Sequence, residues 1–536
     1  MSLKLLYSLL LLVTTLSAYG DLLVTWGNSG AGGDSSGVDL SDGVSTIYST
    51  RGAFAALKSD GSVVTWGNSS YGGDSSGADL SSGVSTIYSN TRAFAALKSD
   101  GSVVTWGDSS NGGDSSGVDL SSGVSTIYST RSGSFARAIN SGAFAALKSD
   151  GSVVTWGNSS YGGDSSGADL SSGVSTIYST DGAFAALKSD GSVVTWGDSS
   201  YGGDSSGADL SSGVSTIYST DGAFAALKSD GSVVTWGDSS YGGDSSGADL
   251  SSGVSTIYSN TRAFAALKSD GSVVTWGFSY FGGDGNSYIH GGEAYDVDLS
   301  SDVSTIYSTS GAFAALKSDG SVINWGFNTQ GGSVDLPADI SFAISGGVST
   351  IYSNTGAFAA LKSDGSVVTW GDVYSGGDEA GNSSWYIQSS NVDLSSVSTI
   401  YSTDRAFAAL KSDGSVVTWG YSSEGGDSSG ADLSSDVSTI YSTDSAFAAI
   451  LNDTDGDGVP DSTDAFPNDP TESVDTDSDN IGDNSDEFPN IPTQDLVNAI
   501  ESNPTRYNLY STDDIRDLRP GSTMIEVSGN QATVQL

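Results

Sequence analysis

Twelve positions between residues 453 and 486 have the types and spacing to hold metal ions. Asp453, Asp455, Asp457, Asp461 and Asp464 stand at positions 1, 3, 5, 9 and 12 of a loop. Gly458 takes position 6, where the chain must turn sharply, and Val459 at position 7 offers its carbonyl. The pattern returns 22 residues on as Asp475, Asp477, Asp479, Ile481, Asp483 and Asp486, with Asn480 at position 6. Asn tolerates the left-handed backbone that such a turn needs. An all-oxygen donor set suits a hard divalent cation, so Ca2+ is the expected ion. Residues 451–490 hold thirteen acids and no Lys or Arg. Without cations, that crowding would repel and keep the segment disordered. Extracellular sites of this kind bind at about 10⁻⁴–10⁻³ M, which suits a structural clamp rather than a sensor.

Other candidate chemistry is sparser. There is no Cys, which excludes disulfides, thiol catalysis and thiolate metal sites. The one His, His290, lies in an irregular stretch and reads as a bystander. Asp60, Asp74 and Asp79 recur in most repeats and read as turn formers and surface charge. Three long stretches, 278–299, 326–346 and 372–394, carry Tyr280, Phe281, Tyr288, Tyr295, Trp385 and Tyr386. Aromatics on loops over a rigid scaffold suit ligand or protein binding; the plainer reading is drift with local packing. An enzyme would need an asymmetric acid pair, for which Asp284, Glu293, Asp296 and Glu379 are the candidates.

The elements that must carry these residues are announced by repetition. A Trp-Gly pair recurs at Trp26, Trp66, Trp106, Trp156, Trp196, Trp236, Trp276, Trp325, Trp370 and Trp419. The phrases A-F-A-A and S-T-I-Y each occur ten times, so the period is about 40 residues. Each phrase reads as a strand: STIYS is β-branched and aromatic, and AFAALK and SVVTWG flank Ser-Asp-Gly, a hairpin turn. A three-stranded sheet of 40 residues with apolar side chains on both faces needs neighbours, and a propeller supplies them radially. A β-solenoid fits less well, because its coils are shorter. The first copy, DLLVTWG, has only the last strand, and the final AFAAI (446–450) lacks its VTWG partner. Pairing the two completes one blade. The expected fold is therefore all-β, a closed propeller of about ten short three-stranded blades over residues 21–450.

The stretch AFAALKSDGSVVTWGNSSYGGDSSG resembles the repeat of the regulator-of-chromosome-condensation superfamily, in which L-x-x-D-G leads into V-x-x-W-G and a glycine-rich loop. Its short form is similar to the bacterial beta-lactamase-inhibitor propellers. The resemblance covers residues 21–450 and implies a propeller; it implies little about function. Many family members carry a His where this chain has Ala53 and Ala93, and YGGD stands in place of G-Q-L-G. The chromatin and nucleotide-exchange role of the eukaryotic members therefore does not carry over. The phrase D-x-D-x-D-G-x-x-D-x-x-D-x-F-P resembles thrombospondin type 3 repeats, in which calcium substitutes for a hydrophobic core. The second copy departs from it at Asn480 and Glu487.

Charge and termini narrow the setting. The net charge is −45, which opposes binding to nucleic acid or anionic lipid and favours cations. Residues 1–20 have a basic start, a short apolar run and small residues at Ala18 and Gly20, the pattern of a secretory signal peptide. No later segment is apolar enough to span a membrane. Residues 491–536 read as a small α/β tail, with a helix over QDLVNAIES and strands in STMIEVSG and QATVQL. It ends on an apolar strand, which implies truncation or pairing with another chain. Together these imply a secreted, non-catalytic, calcium-stabilised binding or adhesion scaffold whose partner is an extracellular protein or glycan. The rivals are an inhibitor of a secreted enzyme and a carbohydrate-active enzyme using the 278–394 loops.

Overall fold

The structure is a computed structural model. It describes residues 22–40, 43–130, 142–288, 294–333, 336, 338–377, 386–387, 392–457, 459–486, 489, 524–527 and 532–535. The chain divides into two compact units, one formed by Leu23–Leu40 with Val44–Leu451, the other including Asn452–Leu536.

The first unit is all-β and repeats one three-stranded antiparallel sheet, ten times among the described residues. In the first complete sheet the strands are Val44–Ser49, Ala53–Lys58 and Val63–Gly67. Phe54 lies opposite Trp66 and Ala56 opposite Val64. The hairpin turns on Gly61, whose φ of +80° is the left-handed conformation that Gly supplies without strain. The Asp60 carboxylate accepts the Ser62 backbone N–H at 2.8 Å, which confirms a turn-forming role. Asp74 holds Ser76 in the same way.

The middle strand explains the small residues. Ala53, Phe54, Ala55 and Ala56 are fully buried, as are their equivalents in every sheet. Ala53, Ala55 and Leu57 form one face, and against them pack Phe94, Ala96 and Trp106 of the next sheet. Alanine leaves the room that the large rings of the neighbour fill. Phe94 stacks on Trp106 at 5.0 Å, and the indole N–H donates to the Gly72 carbonyl at 3.0 Å. A Cβ on Gly72 would collide with the Phe94 ring and one on Gly73 with the Gly67 backbone, which dictates the Gly-Gly of the loop. Each such ring contributes at most about 4–6 kcal/mol of burial.

The half repeats pair as their sequences imply. Leu22–Gly27 joins Ala446–Leu451 and Val437–Ser442 in one sheet. Trp26 stacks on Phe447 at 5.1 Å. Ala446, Ala448 and Ile450 pack against Phe54, Ala56 and Trp66, the same interlock that joins consecutive sheets.

Described parts of the irregular stretches join the sheets. Asn286–Tyr288 and Ala294–Asp296 extend the sheet of Val322–Phe327, the first pairing parallel to it. Tyr386–Ile387 adds an antiparallel edge to Val416–Tyr421. Between them, the short helix Ala338–Ala343 brings Ile340 and Ile344 into the core. In the second unit, residues 452–486 are built of turns, and Met524–Val527 pairs with Ala532–Gln535. The expected helix over QDLVNAIES and the signal segment lie outside the described residues.

Candidate binding cavity and calcium loops

The first strands of the sheets end around a shared cavity of about 770 Å³. Its wall includes the last Ser of most STIYS phrases. Each of these hydroxyls donates to the backbone carbonyl of the equivalent Ser one sheet earlier, as in Ser89 to Ser49 at 2.6 Å. The series runs through Ser442 to Ser402, and Ser49 in turn donates to Ser442 at 2.7 Å. The next residue is Thr or Asn, and it pins the following loop: Thr50 donates to the Tyr71 carbonyl at 2.8 Å, and Asn260 to that of Phe281 at 2.7 Å.

The position after that breaks the repetition. Along the wall it reads Arg51, Thr91, Asp181, Asp221, Thr261, Ser310, Thr355, Asp404 and Asp444. Four aspartates thus face the cavity against a single arginine among the described residues. Arg51 pairs with Asp444 at 3.1 Å, with each side chain 38% exposed. Burial pushes Asp221 up to about 7, against the pull of Arg262. Burial, with the Asp404 charge next, raises Asp444 to about 7 despite Arg51. Burial also raises Asp404 and Glu424, so several carboxylates share too few cations here.

The second unit presents two loops of the same design. Carboxylate oxygens of Asp453, Asp455 and Asp457 lie within 4.8 Å of one another, and so do those of Asp475, Asp477 and Asp479. In the first loop, Asp453 accepts the Gly456 N–H at 2.8 Å and Asp457 accepts that of Val459 at 2.9 Å. In the second, Asp479 accepts the Ile481 N–H at 3.0 Å, and Asn480 has the expected left-handed φ of +66°. Gly458 lies outside the described residues. The acids at positions 9 and 12 are not in these clusters. Asp461 takes the Thr454 N–H and hydroxyl on its two oxygens at 2.6 and 2.7 Å, and Asp483 holds Thr476 likewise at 2.8 and 2.6 Å. They clasp the loops shut and stand outside the two clusters.

These residues fit a divalent cation. Asp455 and Asp464 are buried, and each keeps a carboxylate oxygen with no hydrogen-bond partner. A buried anionic oxygen without a donor is costly unless a cation meets it. Burial raises Asp464, with further contributions from Asp457, Asp455 and Asp461.

No protein-family model and no curated protein matches the chain. Solved structures similar to it include Prp20p from Saccharomyces cerevisiae, 15% identical over 82% of this chain and 94% of that one, with a TM-score of 0.31. The CRINKLY WD40 ectodomain of the Arabidopsis thaliana receptor kinase ACR4 is 16% identical over 58% of this chain and 99% of that one, with a TM-score of 0.30. Such similarities carry no argument about activity or partners, and the propeller-like architecture rests on the sheets themselves.

The aromatic candidates are dispersed. Tyr280 is exposed, whereas Phe281 packs among Phe278, Phe327 and the Arg262 guanidinium. The backbones of Tyr288, Tyr295 and Tyr386 lie in the added edge strands rather than in free loops. Trp385 lies outside the described residues, as do His290, Glu293 and Glu379; Asp284 and Asp296 are exposed. Sequence reasoning missed the cavity wall, which includes the positions that do not repeat. The signal was present in the dipeptide before A-F-A-A, which reads RG, TR, DG, SG, TG, DR or DS.

Proposed function

We propose that the chain is a secreted, non-catalytic binding scaffold: a closed ten-bladed propeller that takes a basic group of an extracellular protein into its central cavity, followed by calcium-clamped loops of thrombospondin type 3 kind. The observation that carries this reading is the divergence of the cavity wall. Sheets that are otherwise near copies differ where Arg51, Asp181, Asp221, Asp404 and Asp444 stand. Closure is supported by the Ser49–Ser442 hydrogen bond and by the packing of Phe54 against Ala446 and Ala448. In a closed ring of ten, the Asp181–Asp221 pair lies five blades from the Asp404–Asp444 pair, on the opposite wall. Asp221 and Asp444, pushed up to about 7 by burial, gain when a cation enters among them.

The test is a binding screen of the full chain against lysine- and arginine-containing peptides and a glycan array. Basic peptides are expected to bind and to lose at least tenfold in affinity in Asp181→Asn/Asp221→Asn and Asp404→Asn/Asp444→Asn. Glycan binding that survives both double substitutions would sink the reading in favour of a carbohydrate ligand.

A further inference from the structure

The segment between the two calcium loops contains a carboxylate that the loop pattern does not assign. Glu472 stands three residues before Asp475 and is 5% exposed, more buried than any acid of the second loop. One of its oxygens accepts the Asn484 backbone N–H at 3.0 Å. The other is buried and has no hydrogen-bond partner. The carboxylate lies over Gly482, where a Cβ would collide with it, so position 8 of this loop is Gly to let the acid approach. Asn484 completes the latch by donating its side chain to the Thr471 carbonyl at 2.7 Å.

The first copy has no such group. Twenty-two residues earlier, the positions of Glu472, Gly482 and Asn484 are taken by Ile450, Pro460 and Ser462. Other features of the unit do repeat: Asp461 donates its N–H to the Asn452 carbonyl at 3.1 Å, and Asp483 to that of Val474 at 2.8 Å. The acid is therefore an addition to a conserved frame, set against the one loop whose position 6 is Asn rather than Gly. A buried carboxylate oxygen without a donor, packed on the backbone of the loop that carries three clustered carboxylates, is an unfavourable arrangement that a divalent cation reverses.

We propose that Glu472 is a further ligand of the cation held by Asp475, Asp477 and Asp479, supplying the oxygen that Asn484 leaves free. This rests on the calcium reading above, and it makes the two sites unequal. The second draws an additional carboxylate from outside its own twelve residues, which adds negative charge around the ion and ties the linker 465–474 to the loop.

The experiment is calcium titration of the full chain by calorimetry, with terbium luminescence as a second readout. Glu472→Gln keeps the acceptor for the Asn484 N–H and the side-chain shape, and removes only the charge. Two ions are expected to bind the unsubstituted chain, and Glu472→Gln is expected to weaken one of them at least tenfold. Asp455→Asn should weaken the other, and Glu472→Asp should recover part of the loss. The melting temperature of the propeller, followed by Trp fluorescence, should not move in any of these variants. Two ions bound with unchanged affinities in Glu472→Gln would overturn the assignment while leaving the calcium reading intact. No calcium bound by the unsubstituted chain would remove both.

Discussion

The propeller and the acidic loops solve the same problem with opposite chemistry. The propeller buries Phe, Trp and Ala between sheets, and its carboxylates sit mostly on turns in water, as Asp60 and Asp74 do. Residues 452–486 bury carboxylates instead: Asp453, Asp455, Asp464 and Glu472 are among the least exposed groups there. Apolar burial is non-directional and indifferent to small ions. Carboxylate burial is stabilising only when a cation neutralises it. If the loops hold calcium as proposed, one chain contains a part whose stability is its own and a part whose stability is set by solution calcium.

The sharpest way to break the contrast is to attack the apolar interlock where the first and last strands of the repeats meet. Removing residues 22–27 takes away Trp26, its stack on Phe447 and the edge partner of Ala446–Leu451. Losing a buried Trp alone costs about 3–5 kcal/mol, and here a whole strand goes with it. The thermal midpoint should fall by far more than on removal of the exposed turn residues Ser76 and Gly77. Equal midpoints for the two deletions would mean that Leu22–Gly27 does not lock the propeller.

Calcium removal should produce the complementary result. Chelation is expected to raise the rate of proteolytic cleavage within 452–486 by tenfold or more, because the clustered carboxylates then repel. The propeller midpoint should not change. Cleavage rates that ignore the chelator would show that hydrogen bonds such as Thr454–Asp461 hold the loops without an ion.

These two regions were not equally legible. The propeller could be read because a 40-residue period fixes strand, turn and strand in phase, and because DLLVTWG and AFAAI each lack what the other has. The loops could be read because oxygen ligands demand fixed spacing. Less legible was whatever depends on unrelated segments meeting. Asp461 and Asp483 fit position 9 by count, yet the neighbouring Thr side chains claim their oxygens. The 278–299 and 372–394 stretches looked like free loops. The outer strands Val322–Phe327 and Val416–Tyr421 offer unpaired backbone groups, and short extended segments such as Asn286–Tyr288 took them up. The cavity wall was invisible for another reason: no sequence pattern says that the residues before A-F-A-A point toward one axis.

The smallest effect tests the one place where the propeller behaves like the loops. Asp221 and Asp444 have folded pKa values raised from the ordinary 3.8 to about 7. Between those values the folded chain keeps a proton that the unfolded chain has released. Stability therefore falls as pH rises from about 4 through 7, the reverse of the usual ion-paired carboxylate. Arg51, 3.1 Å from Asp444, works against this, but Asp404 and Glu424 bear on the same cluster. Because water reaches the outer part of the Asp444 side chain, its share is at most about 1 kcal/mol. Asp444→Asn should flatten the pH dependence of the urea midpoint between pH 5 and 8 and raise stability slightly at pH 8. Parallel curves for the two proteins would place Asp444 in an ordinary salt bridge. Calcium separates this effect from the loops: its addition should leave the slope assigned to Asp444 unchanged.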